Sequence, residues 1–153
     1  MVMKTGFQSN PLSLTGTEVA LYDYAHHNER ELLNQSVIFY QRSHPGNDEL
    51  AIKRFQARFE VIPYNDISDL DRGSVSSGCD LLYAIKSGKK DSVVSSVVPT
   101  MVHAVFPTNP MQIHGASYAH ISPWLSKYCS LGTIPAVSHI VEMPTPNGDL
   151  RAE

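Results

Sequence analysis

Short apolar runs recur along the chain, separated by longer stretches of mixed character. The runs are residues 36–40 (SVIFY), 60–64 (EVIPY), 79–85 (CDLLYAI), 100–106 (TMVHAVF) and 138–143 (SHIVEM), with 3–7 (MKTGF) as a weaker sixth. Most are near-continuous rather than alternating, as expected of strands covered on both faces in a parallel sheet. The stretches between them have helical length. Residues 17–28 carry Ala20 with Tyr24, and Leu21 with Ala25, at i,i+4 spacing. Residues 48–59 bring Leu50, Ile52, Phe55 and Phe59 towards one face. Shorter helices are predicted at 66–76, at the Val/Ser-rich stretch 91–98, and at 122–129, where Pro123 suits the first turn.

Strands alternating with helices imply right-handed βαβ units. The pattern therefore predicts an open, doubly wound α/β fold: a mainly parallel sheet of about six strands with helices on both faces. Residues 1–142 read as one domain. The tail 143–153 (MPTPNGDLRAE) has two prolines, an Asn-Gly pair and a polar end, a linker-like composition. In such sheets ligands sit beyond the carboxyl ends of the strands, where the strand order reverses. With the usual order, the loop after the first strand (9–16) and the loop after the fourth (86–90, KSGKK) border that crevice.

Composition narrows the function more than the fold. A chain of 153 residues is long enough to bury a core, and 42% apolar with 18% charged residues is an ordinary globular mix. A net charge of -3 gives no electrostatic reason to expect nucleic acid. The densest basic cluster, Lys86, Lys89 and Lys90, is too small to track a phosphate backbone. No apolar run approaches the roughly 20 residues of a membrane span, and the amino terminus has no apolar signal-peptide core. Cys79 and Cys129 lack metal or redox spacing and suit a reducing cytoplasm.

Candidate chemistry concentrates at two places. Thr15-Gly16-Thr17-Glu18 opens the first helix, and Thr15-x-x-Glu18 fits a capping box. A glycine at a helix entrance also lets a phosphate approach the exposed backbone N–H groups. Both readings stand on the residues alone. The fingerprints G-x-G-x-x-G and G-x-x-x-x-G-K-[ST] are absent, which argues against an ordinary dinucleotide dehydrogenase or NTPase. His103 interrupts an apolar strand: either a hydrogen-bonded core histidine, or a group facing the crevice near the strand's carboxyl end. His114 and His120, around Gly115, have no carboxylate or thiol at ligand spacing, so no metal site is predicted. His26 and His27 lie near a helix end, where the helix dipole favours them. Ser122 has no base beside it and no nucleophile-elbow motif around it.

The segments NPLSLTGTEVALYDYAHHNE, LLNQSVIFY, DLLYAIKSG, VHAVFP and SYAHISPWLS together resemble the amino-terminal half of GT-B glycosyltransferases. The closest resemblance is to the retaining, nucleotide-sugar-dependent enzymes of the glycosyl transferases group 1 type. It runs in order from Gly6 to Ile140, and its first segment is the most specific. The resemblance implies a Rossmann-like domain forming one wall of an interdomain cleft. It implies that the loop at Thr15 and Gly16 lies beside the donor diphosphate, although the family commonly has Gly-Gly before Thr-Glu and this chain has Thr15 as the first of the pair. It implies that His103 contacts the transferred sugar or the acceptor, and that YAHISPWLS is a strand-to-helix step on the cleft side. Ala116 stands where Asp is more usual. The implied partners are a nucleotide-sugar co-substrate, a sugar or glycan acceptor, and a carboxyl-terminal GT-B domain that grips the nucleotide; no other cofactor is implied. An amino-terminal half alone is expected to be inactive. The rival readings are a non-catalytic Rossmann-like module that binds another protein, and a small nucleotide-binding enzyme.

Overall fold

A computed structural model describes residues 2–136, and the predicted strand at 138–143 and the tail 143–153 lie outside the described residues. Six strands form one sheet: β1 (Lys4–Ser9), β2 (Gln35–Gln41), β3 (Glu60–Tyr64), β4 (Leu81–Lys86), β5 (Thr100–Ala104) and β6 (Ser117–His120). Every neighbouring pair is parallel, in the order β3-β2-β1-β4-β5-β6. The order reverses between β1 and β4, as in a doubly wound, Rossmann-like α/β fold. The sixth strand is Ser117–His120, a four-residue segment whose apolar signal is broken by its histidine.

Among the described residues, helices α1 (Gly16–Arg30), α2 (Glu49–Gln56), α3 (Ile67–Ser76) and α4 (Pro123–Ser130) accompany the sheet, with a short 3-10 turn at Pro110–Gln112. Alternate residues of the strands serve opposite faces. Phe7, Ile38 and Ile85 pack with Leu21 and Ala25 of α1 and Phe55 of α2. Val37, Phe39 and Leu82 point the other way and pack with Leu70 of α3. Phe39 is fully buried, and the absence of two side chains makes room for its ring. A Cβ on Gly6 would come within 2.8 Å of the Phe39 ring and 2.6 Å of Leu82, and one on Gly73 of α3 within 3.0 Å of the same ring. Glycine at these positions lets β1 and α3 close on the aromatic core.

The helix expected at 91–98 is absent. Valine and serine are poor helix formers, the first through χ1 crowding and the second through competing side-chain bonds to the backbone. Here the serines do compete. The hydroxyls of Ser95 and Ser96 donate to the two carboxylate oxygens of Asp71 on α3, each at 2.6 Å, and the N–H groups of Val97 and Val98 donate to Ser95 Oγ. Val93 and Val98 pack against the α3 core cluster. The β4–β5 connection is thus an irregular strap laced to α3.

Candidate functional site

The crevice at the β1/β4 reversal is built by the two loops that the strand order selects. Beyond β1, residues Ser9, Asn10 and Pro11 lead to Thr15 at the N-cap of α1. Beyond β4, Lys86 and Ser87 begin the facing loop. Both sets line one cleft of about 440 Å³ that also holds Glu18 and Asp91. A second cleft of about 370 Å³ shares Thr15, Thr17, Ile85, Val105 and Phe106 with the first. It adds Gly16, Tyr24 and His103. The three residues singled out from sequence, Thr15, Gly16 and His103, therefore line one cleft.

At the α1 entrance the reciprocal capping box does not form. Thr15 makes no side-chain cap; its hydroxyl turns instead to the Glu18 carboxylate. Glu18 is buried, and Ser13 Oγ at 2.8 Å and Ser9 Oγ at 3.2 Å also donate to it. Val19 is the first residue whose N–H reaches back, to the Thr15 carbonyl at 3.1 Å. The other helices differ: Asp48, Asp66 and Ser122 each cap a first-turn N–H with their side chains. Gly16 is exposed, and a Cβ there would meet no atom within 4 Å. The helix entrance is thus open to the crevice, with Glu18 already supplying a negative charge near its positive end.

The facing loop is held by buried contacts. Lys86, whose side chain is only 4% exposed, donates to Asp91 Oδ1 and to the Val93 carbonyl, both at 2.8 Å. It is a structural cation rather than part of a basic surface. Gly88 has φ +95°, a conformation that suits glycine, and a Cβ there would lie 2.6 Å from Ala104. Tyr118 Oη donates to the Gly88 carbonyl at 2.9 Å and completes the clasp.

His103, 1% exposed, is the penultimate residue of β5 and faces the α1 side of the sheet. Its Nδ1 is 2.7 Å from Tyr83 Oη on the neighbouring strand. Its ring lies 5.8 Å from those of Tyr24 and Tyr83. Burial, and secondarily Asp23, pushes the Tyr24 phenol up to about 12; burial, with Tyr24 beside it, also raises Tyr83 well above its ordinary value. Both phenols are neutral throughout the ordinary pH range. The sequence offers Glu18 only as a cap partner and does not single out Tyr83. The one signal for Tyr83 was a hydroxyl-bearing residue inside an otherwise aliphatic strand.

The other histidines are elsewhere. His114 Nδ1 is bonded to the Gln112 carbonyl at 2.7 Å, and burial lowers the pKa of His120. Among the described residues no three His, Cys, Asp or Glu side chains assemble into a possible metal site. Cys79 and Cys129 are free thiols, and burial pushes Cys79 up to about 11. Ser122 caps α4. A larger cavity of about 520 Å³ lies near the amino ends of β1 and β4, with mostly apolar walls that include Met3, Leu32, Leu81 and Met101. It contains none of the three sequence-selected residues. No helix among the described residues is long and apolar enough to cross a membrane.

No protein-family model, curated protein or solved structure matches this chain.

Proposed function

We propose that this crevice seats the diphosphate of a nucleotide sugar, and that the domain is the acceptor-side half of a retaining GT-B glycosyltransferase. The observation that supports this reading best is the meeting of an open helix entrance at Thr15-Gly16 with His103, in the cleft that adjoins the crevice at the strand-order reversal. In such chemistry the diphosphate leaves while an acceptor hydroxyl attacks the same face of the sugar. The protein's part is to stabilise leaving-group charge and to hold the acceptor. First-turn N–H groups of α1 would meet phosphate oxygens, and His103 would orient the sugar. Glu18 offsets the helix dipole, so this wall alone binds weakly, at about millimolar dissociation constant, and a carboxyl-terminal domain would supply the rest of the grip.

The reading is tested by titrating the 15N-labelled 153-residue protein with UDP and GDP and following backbone amides. Shifts centred on Gly16, Thr17 and the 86–90 loop are expected. Shifts confined to the large apolar cavity, or none at ten millimolar nucleotide, would sink it. A second reading, a protein-interaction module, draws on α4. Trp124 and Tyr128 stack there at 5.0 Å with 64% and 68% exposure. Exposed aromatics of this kind are enriched at protein interfaces.

A further inference from the structure

Helix α4 is built the wrong way round for a helix with all its partners in place. A surface helix ordinarily turns its apolar stripe to the core and its polar residues to water. In α4 the buried side chains are Leu125, Ser126 and Ser130, whereas Trp124 and Tyr128 face solvent and Leu131, at the C-cap, is 90% exposed. The inward serines are satisfied. Ser126 Oγ donates to the Ile134 carbonyl, Ser130 Oγ donates to the Ser126 carbonyl at 2.8 Å, and the Ile134 N–H donates to Ser130 Oγ at 3.2 Å. The serine face is therefore held inward by its own bonds, and the aromatic face is left outside.

Trp124, Tyr128 and Leu131 have the spacing i, i+4, i+7 and so form one narrow stripe. The Trp124 and Tyr128 rings are parallel to within 7°, so each already holds the other in place. Less side-chain entropy is then lost when a partner covers them.

The charge pattern selects the partner. From Ser92 to Ala136 the sequence holds only one Asp, Glu, Lys or Arg, which is Lys127, in a chain of net charge -3. Lys127, three residues from Trp124, lies at the margin of the stripe. A charged partner would find nothing else here to pair with. Attachment to an anionic membrane would call for several basic residues around the aromatics. A second copy of the stripe meets neither objection, because two such faces come together without like charges at their centre.

We propose that α4 is a homodimer interface, in which Trp124, Tyr128 and Leu131 pack against the same residues of a second copy of this chain. The proposal rests on the interaction reading of α4 and is independent of the nucleotide-sugar reading of the crevice. A two-fold axis makes the contact self-complementary. Antiparallel α4 helices set Tyr128 against its counterpart and Trp124 against the partner's Leu131. The three side chains expose on the order of 500 Å² together, below the roughly 800 Å² that one side of an ordinary interface buries, so the dimer is a weak one.

Trp124 is the chain's only tryptophan, so its fluorescence reports on this face alone. Sedimentation and tryptophan emission of the 153-residue protein are followed together from about 5 to about 500 µM, a span suited to a small interface. The mass should rise from monomer towards dimer. Over the same concentrations, emission should move to shorter wavelength and acrylamide quenching should weaken. Tyr128→Ser and Leu131→Asp alter side chains that face solvent in the monomer, so both should melt close to wild type at the lowest concentration. Each should weaken association by about tenfold or more. A wild-type monomer throughout the range overturns the proposal. A response of Trp124 in that monomer to phosphatidylglycerol vesicles, or to maltose, would give the stripe to a membrane or a glycan instead. A dimer with unchanged tryptophan emission, or one that persists in both folded variants, lies on another face and also overturns it. The wild-type measurements decide even where a variant does not fold. No outcome bears on the crevice, which its own nucleotide titration tests.

Discussion

Two glycines on successive elements show how differently the same residue can be constrained. Gly6 faces the packed side of β1, where a methyl group would collide with Leu82 at 2.6 Å and with the Phe39 ring at 2.8 Å. Both neighbours are fully buried and have little room to retreat. Gly6→Ala should therefore destabilise the fold by about 1–3 kcal/mol, the usual cost of overfilling a core. Gly16 faces open space and begins a helix, so Gly16→Ala should leave stability unchanged or raise it by up to about 1 kcal/mol, since alanine loses less backbone entropy there. Paired urea-unfolding curves of the two variants check both statements. A Gly6→Ala midpoint equal to wild type would mean that the Phe39 seat is looser than described. The sequence hinted at Gly16, because a glycine before a helical pattern is visible. It hid Gly6, whose constraint comes from β2 and β4, which are distant in the chain.

Among the connecting elements, the strap between β4 and β5 makes the clearest energetic claim. Partial burial works against the Asp71 carboxylate, but the hydrogen bonds from Ser95 and Ser96 outweigh it and hold its pKa below the ordinary value. A depressed folded-state pKa contributes stability above the unfolded value, about 3.9 for aspartate, and that contribution is lost as pH falls through the lower folded value. Asp71→Asn should thus be less stable than wild type at neutral pH, by about 1 kcal/mol given its partial exposure and solvent screening. The gap should close in acid. Urea titrations of both proteins at neutral pH and below pH 4 measure it; a gap that widens in acid would contradict the strap. The same segment marks where reading by pattern ran out. The strands in 36–40, 60–64, 79–85 and 100–106 and the helix in 17–28 follow from their apolar pattern, and the helices in 48–59 and 66–76 form as expected although Leu50, read as facing inward, is exposed. The stretch 91–98 has the apolar content of a helix, but its serines find a partner on α3 that no local rule reveals. β6 is too short, and too broken by His120, to register as a strand by pattern alone. Capping was half legible: Asp48, Asp66 and Ser122 cap as their residue types suggest, whereas Thr15 is drawn away by Glu18, which the tertiary fold surrounds with hydroxyls.

At the scale of the whole molecule, the crevice joins the two halves of the sheet, since one wall follows β1 and the other follows β4. That geometry was legible because strand order follows from alternating elements and right-handed crossovers, and the cleft adjoining the crevice brings Thr15, Gly16 and His103 together despite their separation in the chain. What fills the crevice was not legible, because the helix entrance carries neither phosphate fingerprint. A ligand bound there should stabilise the entire fold by mass action, since it binds only when both halves are assembled. With a dissociation constant of about one millimolar and UDP at about ten millimolar, the gain is about 1.4 kcal/mol. For a chain of this length that corresponds to a rise of about 3–6 °C in melting temperature. Gly16→Leu should melt close to wild type without nucleotide, because the added side chain enters open space. It should lose the UDP-dependent rise, because that side chain would occupy the place where phosphate approaches the first-turn N–H groups. Inorganic sulfate at matched ionic strength controls for general salt stabilisation. A UDP-dependent rise of the same size in Gly16→Leu would mean that nucleotide, if bound, sits elsewhere and that the α1 entrance is only the start of a helix. A rise confined to wild type and Gly16→Ala would assign the diphosphate to this entrance.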